Sequence, residues 1–282
     1  MKILVVGAGY LGQEILLEGE KAGHNVIGAR RSPSPSQEKI LSLDVLSPET
    51  FSVLPDDINC VVYSVSASSS DELSYLNSYV TGVSNLCSYF IKMPKGKQPE
   101  KFLFVSSTGV YSEDSGGIVT EESLLSTIHY RSRLIVEGER IVLDSFGNGA
   151  VIGRLSGIYG SGRNYMINQA RSTGSFPLED SWTNRIHKSD GARAIIHLLQ
   201  NNNSEQVYII SDLEPALRSS VISFLRSEYL GMSSLVPDSS VCSDLGSKLI
   251  AKGKRCSSKL LRDTGFVFSY PTFREGYGTY FD

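Results

Sequence analysis

Cysteine is scarce in this 282-residue chain, and Cys60, Cys87, Cys242 and Cys256 are scattered without a spacing that would hold a metal, so no metal site is expected. Cys60 falls inside an apolar strand pattern and reads as a buried hydrophobe. No apolar run approaches the ~20 residues that cross a bilayer. Lys and Arg number 27 against 30 Asp and Glu, and the net charge of −3 gives no case for nucleic acid or an anionic membrane as partner. Internal repeats and long low-complexity tracts are also missing; residues 31–36 and 66–70 are short Ser-rich loops. Met1 stands close before the first apolar run, which is read as leaving no room for a signal peptide. The expectation is a cytoplasmic, enzyme-like protein with a small-molecule substrate.

What the chain does have is concentrated at its start. The apolar residues 3–6 run directly into Gly7, Gly9 and Gly12, followed by the amphipathic pattern Leu11, Ile15, Leu16 and a second strand at 24–29. That is the layout of a dinucleotide-binding turn. Gly7 permits the tight turn, Gly9 removes the side chain that would block a pyrophosphate, and Gly12 lets the helix lie close on the sheet. The amides of Tyr10, Leu11 and Gly12, at the helix start, would meet the pyrophosphate where the helix dipole favours negative charge. Further apolar runs at 60–65, 101–105 and 150–155 alternate with helical patterns, as in a parallel sheet covered on both faces. The expected fold class is α/β, a Rossmann-type doubly wound parallel sheet with a small C-terminal substrate-binding lobe. Residues 1–212 form the nucleotide domain, with 161–183 lining the substrate cleft, and 213–282 form the lobe. Ser64, and the loop at 66–70 after it, follow a strand's carboxyl end, where ligands bind in open sheets.

The end of the second strand bears on cofactor choice. An NAD enzyme usually carries an acidic residue there for the ribose hydroxyls, but this chain reads Gly28, Ala29, Arg30, Arg31, Ser32. Two guanidinium groups suit a 2′-phosphate, so NADP is favoured, with NAD as the alternative. Asp44 has two readings, a turn at the adenine ring or a local cap.

Several segments together carry a family resemblance: the glycine turn, Asp44-Val45, Val80-Thr81-Gly82 with Asn85-Leu86, Ser106-Ser107-Thr108-Gly109-Val110-Tyr111, Arg154-Leu155-Ser156-Gly157-Ile158-Tyr159-Gly160, Arg185-Ile186-His187-Lys188-Ser189-Asp190, and residues 260–276. The chain resembles the extended short-chain dehydrogenase/reductase superfamily, the relatives of nucleotide-sugar epimerases and dehydratases. The resemblance implies a catalytic serine or threonine with a Tyr-x-x-x-Lys pair on one helix, in which the lysine lowers the tyrosine pKa and holds the nicotinamide ribose. Ser107 matches the serine. Where relatives read Tyr-x-x-Ser-Lys-Leu, this chain reads His129-Tyr130-Arg131-Ser132-Arg133-Leu134. His129 therefore takes the tyrosine position and Arg133 the lysine position. Tyr130 is the alternative, its face turned by about 100° from that of His129 if both lie on the helix. Arg133 keeps a charge able to hold a ribose or phosphate but cannot relay a proton. A histidine beside it could accept one. The departure resembles the atypical YeeZ-like subgroup, which keeps the nucleotide site and lacks the pair.

An acidic pair after the serine, implied for dehydratases, is replaced by Thr108 and Gly109. His187 and Asp190 read as structural groups at the start of a helix over 191–199. Arg163, Asn164 and Arg185 could line the substrate pocket. In the lobe, helices are expected over 216–230, 244–252 and 257–264, with Gly265 as a helix stop. The stripe Ile135, Gly138, Val142, Phe146 is either core or the interface of a homodimer; monomer and homodimer both stay open. Two functions follow: an NADP-dependent oxidoreductase or epimerase acting on a sugar-like, nucleotide-linked or other hydroxyl-bearing metabolite, or a catalytically silent NAD(P)-binding regulator.

Overall fold

The computed structural model describes residues 1–34, 39–172, 180–201, 205–233 and 251–280. In chain order its elements are β1 (Lys2–Val6), α1 (Tyr10–Lys21), β2 (Asn25–Arg30), β3 (Ile40–Ser42), β4 (Cys60–Tyr63), α2 (Glu72–Leu76), α3 (Gly82–Ile91), β5 (Lys101–Ser107), β6 (Ser115–Val119), α4 (Tyr130–Phe146), β7 (Ala150–Leu155), β8 (Gly157–Tyr159), α5 (Tyr165–Ser172), β9 (Ser181–Thr183), β10 (Arg185–His187), α6 (Lys188–Gln200), β11 (Val207–Ile210), β12 (Ala216–Leu217), α7 (Arg218–Tyr229), β13 (Lys252–Cys256), α8 (Lys259–Asp263) and α9 (Phe273–Gly278).

Seven strands form one sheet in the order β3-β2-β1-β4-β5-β7-β11, and every pairing in it is parallel. The apolar runs are continuous because both faces are buried, and the strand period of two sends alternate residues to opposite layers. Leu4, Val6, Val61, Tyr63, Phe102 and Phe104 meet Val83, Leu86 and Phe90 of α3 and Ile135 and Val142 of α4. Ile3, Val5, Val62, Leu103 and Val151 meet Leu11 and Ile15 of α1 and Ile195 and Leu198 of α6. The expected doubly wound sheet is therefore present. Cys60 is buried, and burial pushes its thiol up to about 11, as suits a small hydrophobe.

The stripe on α4 is core. Ile135, Gly138 and Val142 are buried, and the Phe146 ring lies 4.9 Å from that of Phe102. A Cβ on Gly138 would stand 2.2 Å from the Tyr79 carbonyl oxygen, so only glycine allows α4 to lie this close.

The described residues beyond 212 are shared between the main sheet and a second sheet. Leu261 of α8 and Phe266 return to the layer beneath the main sheet with α6, because that face of β11 needs cover. The second sheet, β12-β9-β13-β6, takes β6 and β9 from before residue 212. A third apolar cluster joins Tyr159 and Ile167 to Val221, Ile222, Leu225, Phe273 and Tyr277. The boundary at 212 thus separates the two parts only partly. Of the expected lobe helices, 216–230 appears as α7 after the short β12, and 257–264 as α8, with Gly265 at φ +87°. The helix over 244–252 falls almost wholly outside the described residues, and Lys252 begins β13.

One buried ion pair ties α4 to the sheet. Arg154 on β7 and Glu139 on α4 have side chains 5% and 4% exposed and pair bidentately, Nε to Oε1 at 2.9 Å and Nη2 to Oε2 at 2.7 Å. Arg154 Nη1 also donates to the Tyr111 hydroxyl and the Glu121 carbonyl, and Ser106 donates to Glu139. Truncating one member would strand the other charge in the core. We expect Glu139→Ala to lose about 3–5 kcal/mol of stability in urea unfolding, and a double Glu139→Leu, Arg154→Met variant to lose less than that single change.

Candidate functional site

The order β2-β1-β4 places a change of winding direction between β1 and β4, and open sheets bind ligands at the carboxyl ends of strands there. The glycine turn sits on this point. Gly7 has φ +98°, and the amides of Gly7 and Ala8 both donate to the Ala29 carbonyl, at 2.8 and 3.1 Å. A Cβ on Gly7 would lie 2.6 Å from the Ser64 carbonyl carbon and oxygen, and one on Gly12 would lie 2.2 Å from the Gly7 oxygen. Both positions are closed to any side chain. Gly9 differs: a Cβ there would meet nothing nearer than 4.0 Å, so its face is open. The first helical bond of α1 runs from Gln13 N to Gly9 O, which leaves the amides of Tyr10, Leu11 and Gly12 ahead of the intrahelical ladder.

A cleft of about 600 Å³ opens beside this turn. Gly7, Gly9, Arg30, Arg31, Asp44 and Ser64 line it, six of the residues singled out from the sequence. The others do not line it. Leu11 is buried in the core, and Tyr10 lies against the loop after β8: its hydroxyl donates to the Ser161 carbonyl at 3.1 Å and the Arg163 guanidinium covers its ring at 4.5 Å. The carboxylates in the lining are Asp44 and Asp71. Asp44 Oδ1 accepts from the Leu46 amide at 3.0 Å, which is the local turn role. Asp71 caps α2 by accepting from Ser74 N at 2.9 Å and also accepts from the Ser69 hydroxyl, bonds that hold its carboxyl below the usual range.

The wall opposite Arg30 holds residues the sequence reading did not name individually: Ser66, Ser68, Ser69, Asp71, Ser74 and Asn77. The signal available was the serine run after β4. The run is held from α2, where Ser74 Oγ accepts from the Ser68 and Ser69 amides at 3.0 and 3.3 Å.

Ser107, His129, Tyr130 and Arg133 lie outside that lining. Ser107 ends β5, and its Oγ accepts from the Gly109 amide at 3.0 Å, which leaves its own proton free to donate. Helix α4 begins at Tyr130, one residue later than the shared-face argument for His129 and Arg133 requires. His129 is its extended N-cap residue, at φ −86° and ψ 132°, and is exposed. Tyr130 and Arg133 turn toward one segment: the Tyr130 hydroxyl donates to the Ser70 carbonyl and Arg133 pairs with Glu72 at 2.8 Å. That segment forms the Ser-rich wall, so the start of α4 supports the cleft from behind.

Residues near the second layer have structural partners. His187 caps α6, its Nδ1 accepting from Ser189 N at 3.4 Å. Asp190 is fully buried and accepts from Arg193 at 2.6 Å and from the amides of Ser269 and Tyr270 at 3.0 and 2.7 Å. Arg185 is buried too, donating to Thr183 and lying 5.1 Å from the Phe273 ring, so it does not face an open pocket. Arg163 is spent on Tyr10 and the Ile158 carbonyl.

Residues 3–211 match the model of the NAD dependent epimerase/dehydratase family. Among solved structures, a Methylobacillus flagellatus protein provisionally described as an NAD-dependent epimerase/dehydratase shares 32% identity over 98% of this chain and 96% of its own, with a TM-score of 0.81. The human epimerase family protein SDR39U1, solved with NADPH, shares 18% over 100% and 99%, TM-score 0.78. MoeE5, solved with UDP-glucose and NAD, shares 20% over 99% and 97%, TM-score 0.76. A search of the curated proteins finds no match. No helix among the described residues is long and apolar enough to cross a membrane.

The glycine geometry separates binding from folding. Gly9→Val points into open space, so we expect a folded protein with a melting temperature near wild type that no longer binds NADPH in calorimetry. Gly12→Val, aimed at the Gly7 oxygen, should instead lower the melting temperature itself.

Proposed function

Since the chain belongs to the NAD-dependent epimerase/dehydratase family, within the extended short-chain dehydrogenase/reductases, we propose that it is an NADP-dependent oxidoreductase or epimerase acting on a sugar-like, nucleotide-linked or other hydroxyl-bearing metabolite. The observation that carries the cofactor preference is Arg30 and Arg31 together in the cleft lining, at the end of β2, with no carboxylate among residues 28–32. The open face of Gly9 and the free amides at the start of α1 fit a pyrophosphate. Arg30 and Arg31 hold a 2′-phosphate by charge-assisted hydrogen bonds, and Ser64 and Asp44 complete the walls. Bound nicotinamide supplies hydride chemistry.

The chain's own residues supply orientation and proton movement. Ser107, with its proton free, donates to a substrate oxygen. His129, exposed at the N-cap of α4, is the proton-transfer group. Arg133 is held by an exposed pair with Glu72, an interaction worth little, and can exchange it for a cofactor oxygen. A second reading, a silent NADP-binding regulator, draws support from the engagement of the Tyr130 hydroxyl and Arg133 with Ser70 and Glu72.

Calorimetry should give NADPH the tighter constant, by roughly tenfold or more, and Arg30→Ala with Arg31→Ala should erase the difference. Equal affinities in the wild type would remove the NADP assignment. Turnover is followed by NADPH oxidation with keto substrates and by product analysis of nucleotide sugars incubated with NADP⁺, because an epimerase leaves no net change in the cofactor. His129→Ala should lower it at least about a hundredfold with NADPH affinity nearly intact. Loss of turnover in Tyr130→Phe with an active His129→Ala would transfer the role to Tyr130, and absence of turnover across the panel would favour the regulator.

A further inference from the structure

Arg133, the cation at the helix position, is exposed and turned to Glu72. A different cation stands at the Ser107 turn. Lys254 of β13 is half-buried, and its Nζ donates to the Tyr111 carbonyl at 2.9 Å and the Thr108 carbonyl at 3.4 Å, bracketing the turn that follows Ser107. Its strand is clamped there by Asn184, whose Nδ2 donates to the Lys254 carbonyl at 2.8 Å while its Oδ1 accepts from Cys256 N at 2.7 Å.

The ammonium has no ion-pair partner among the described residues. Of the nearby groups, the Glu113 carboxylate accepts from the Ser115 and Gly117 amides, Asp114 Oδ1 accepts from Gly253 N at 3.0 Å, and Cys256 is a buried thiol. Burial pulls the Lys254 pKa below its ordinary value. A half-buried ammonium whose hydrogen bonds go to carbonyls is costly to hold in place.

The place of the Ser107 turn in the main sheet says which part of a ligand lies near it. The order β2-β1-β4-β5 puts Arg30 on one side of the glycine turn and the Ser107 turn on the other. With the 2′-phosphate end at Arg30, the reacting end of a dinucleotide extends toward β5. Resting on the cofactor reading above, we propose that Lys254 is a positioning residue that holds the Ser107 turn from β13 and supplies the positive charge at the reaction end of the site. That charge favours reduced over oxidised cofactor and favours negative charge on a substrate oxygen held by Ser107.

The test compares NADP⁺ and NADPH affinity by calorimetry in wild type, Lys254→Met, Lys254→Gln and Lys254→Arg, with melting temperatures alongside. A cation opposes the positively charged oxidised ring more than the neutral reduced one. Removing it should therefore shift the NADP⁺-to-NADPH affinity ratio toward NADP⁺ by roughly three- to tenfold in both neutral variants. Lys254→Arg should keep the wild-type ratio. Lys254→Gln retains N–H donors for the two carbonyls, so it reports on charge even if Lys254→Met does not fold. A ratio unchanged in the neutral variants, or two constants that move together with the melting temperature, overturns the role of Lys254. A folded wild type that binds neither nucleotide overturns the cofactor reading, and this inference with it.

Discussion

The contact that the rest of the site depends on is a backbone one, the seating of Gly7 against the end of β4. With a Cβ on Gly7 only 2.6 Å from the Ser64 carbonyl, and one on Gly12 only 2.2 Å from the Gly7 oxygen, strand, turn and helix are packed to the limit that glycine allows. The Gly7 and Ala8 amides, both on the Ala29 carbonyl, bind the same turn to β2. Three strand ends are thus held in one place. The open face of Gly9 then lies between the arginine side and the serine side of the cleft by construction, and α1 presents its first amides to the space between them.

Around this point the sheet is buried on both faces, and the few polar groups inside it do connecting work. Arg154 and Glu139 fasten α4 to β7, and through Ser106 and Tyr111 they reach both flanks of Ser107. Asp190 performs a comparable task at the far edge, drawing the amides of Ser269 and Tyr270 onto the start of α6. These buried acceptors are satisfied by backbone amides or arginine, which is what allows charged atoms to remain inside. Asp212 is less well served. Burial pushes its carboxyl up to about 8 despite the opposing influence of Arg185.

Cations are distributed along the cleft by strand rather than by helix. Arg30 and Arg31 come from the end of β2 and line it, whereas the arginine of α4 is turned to Glu72 on the back of the serine wall. An α4 that begins at Tyr130 accounts for this. His129 is the N-cap residue: its carbonyl accepts the first helical bond, from Arg133 N at 3.1 Å, while its own backbone is extended at ψ 132°.

The doubly wound sheet, its two-sided burial and the glycine turn were legible in the sequence, because each rests on local physics: strand alternation, helix period and the room a hydrogen atom leaves where a methyl would not fit. Gly7, Gly9, Arg30, Arg31, Asp44 and Ser64 could be named for the same reason, each lying within a few residues of a strand end that the pattern locates. Other features required the tertiary structure. The start of α4 depends on packing of Ser132 and Tyr130 against segments remote in sequence, and it leaves His129 as the extended N-cap residue. The ambiguous stripe on α4 became core only because β5 and α3 lie opposite it. That Leu261 and Phe266, beyond residue 212, join the apolar layer under the main sheet is likewise a long-range contact. Lys254 meets the Ser107 turn across 146 positions of chain, a contact fixed by strand pairing between β13 and β6 that no local pattern encodes.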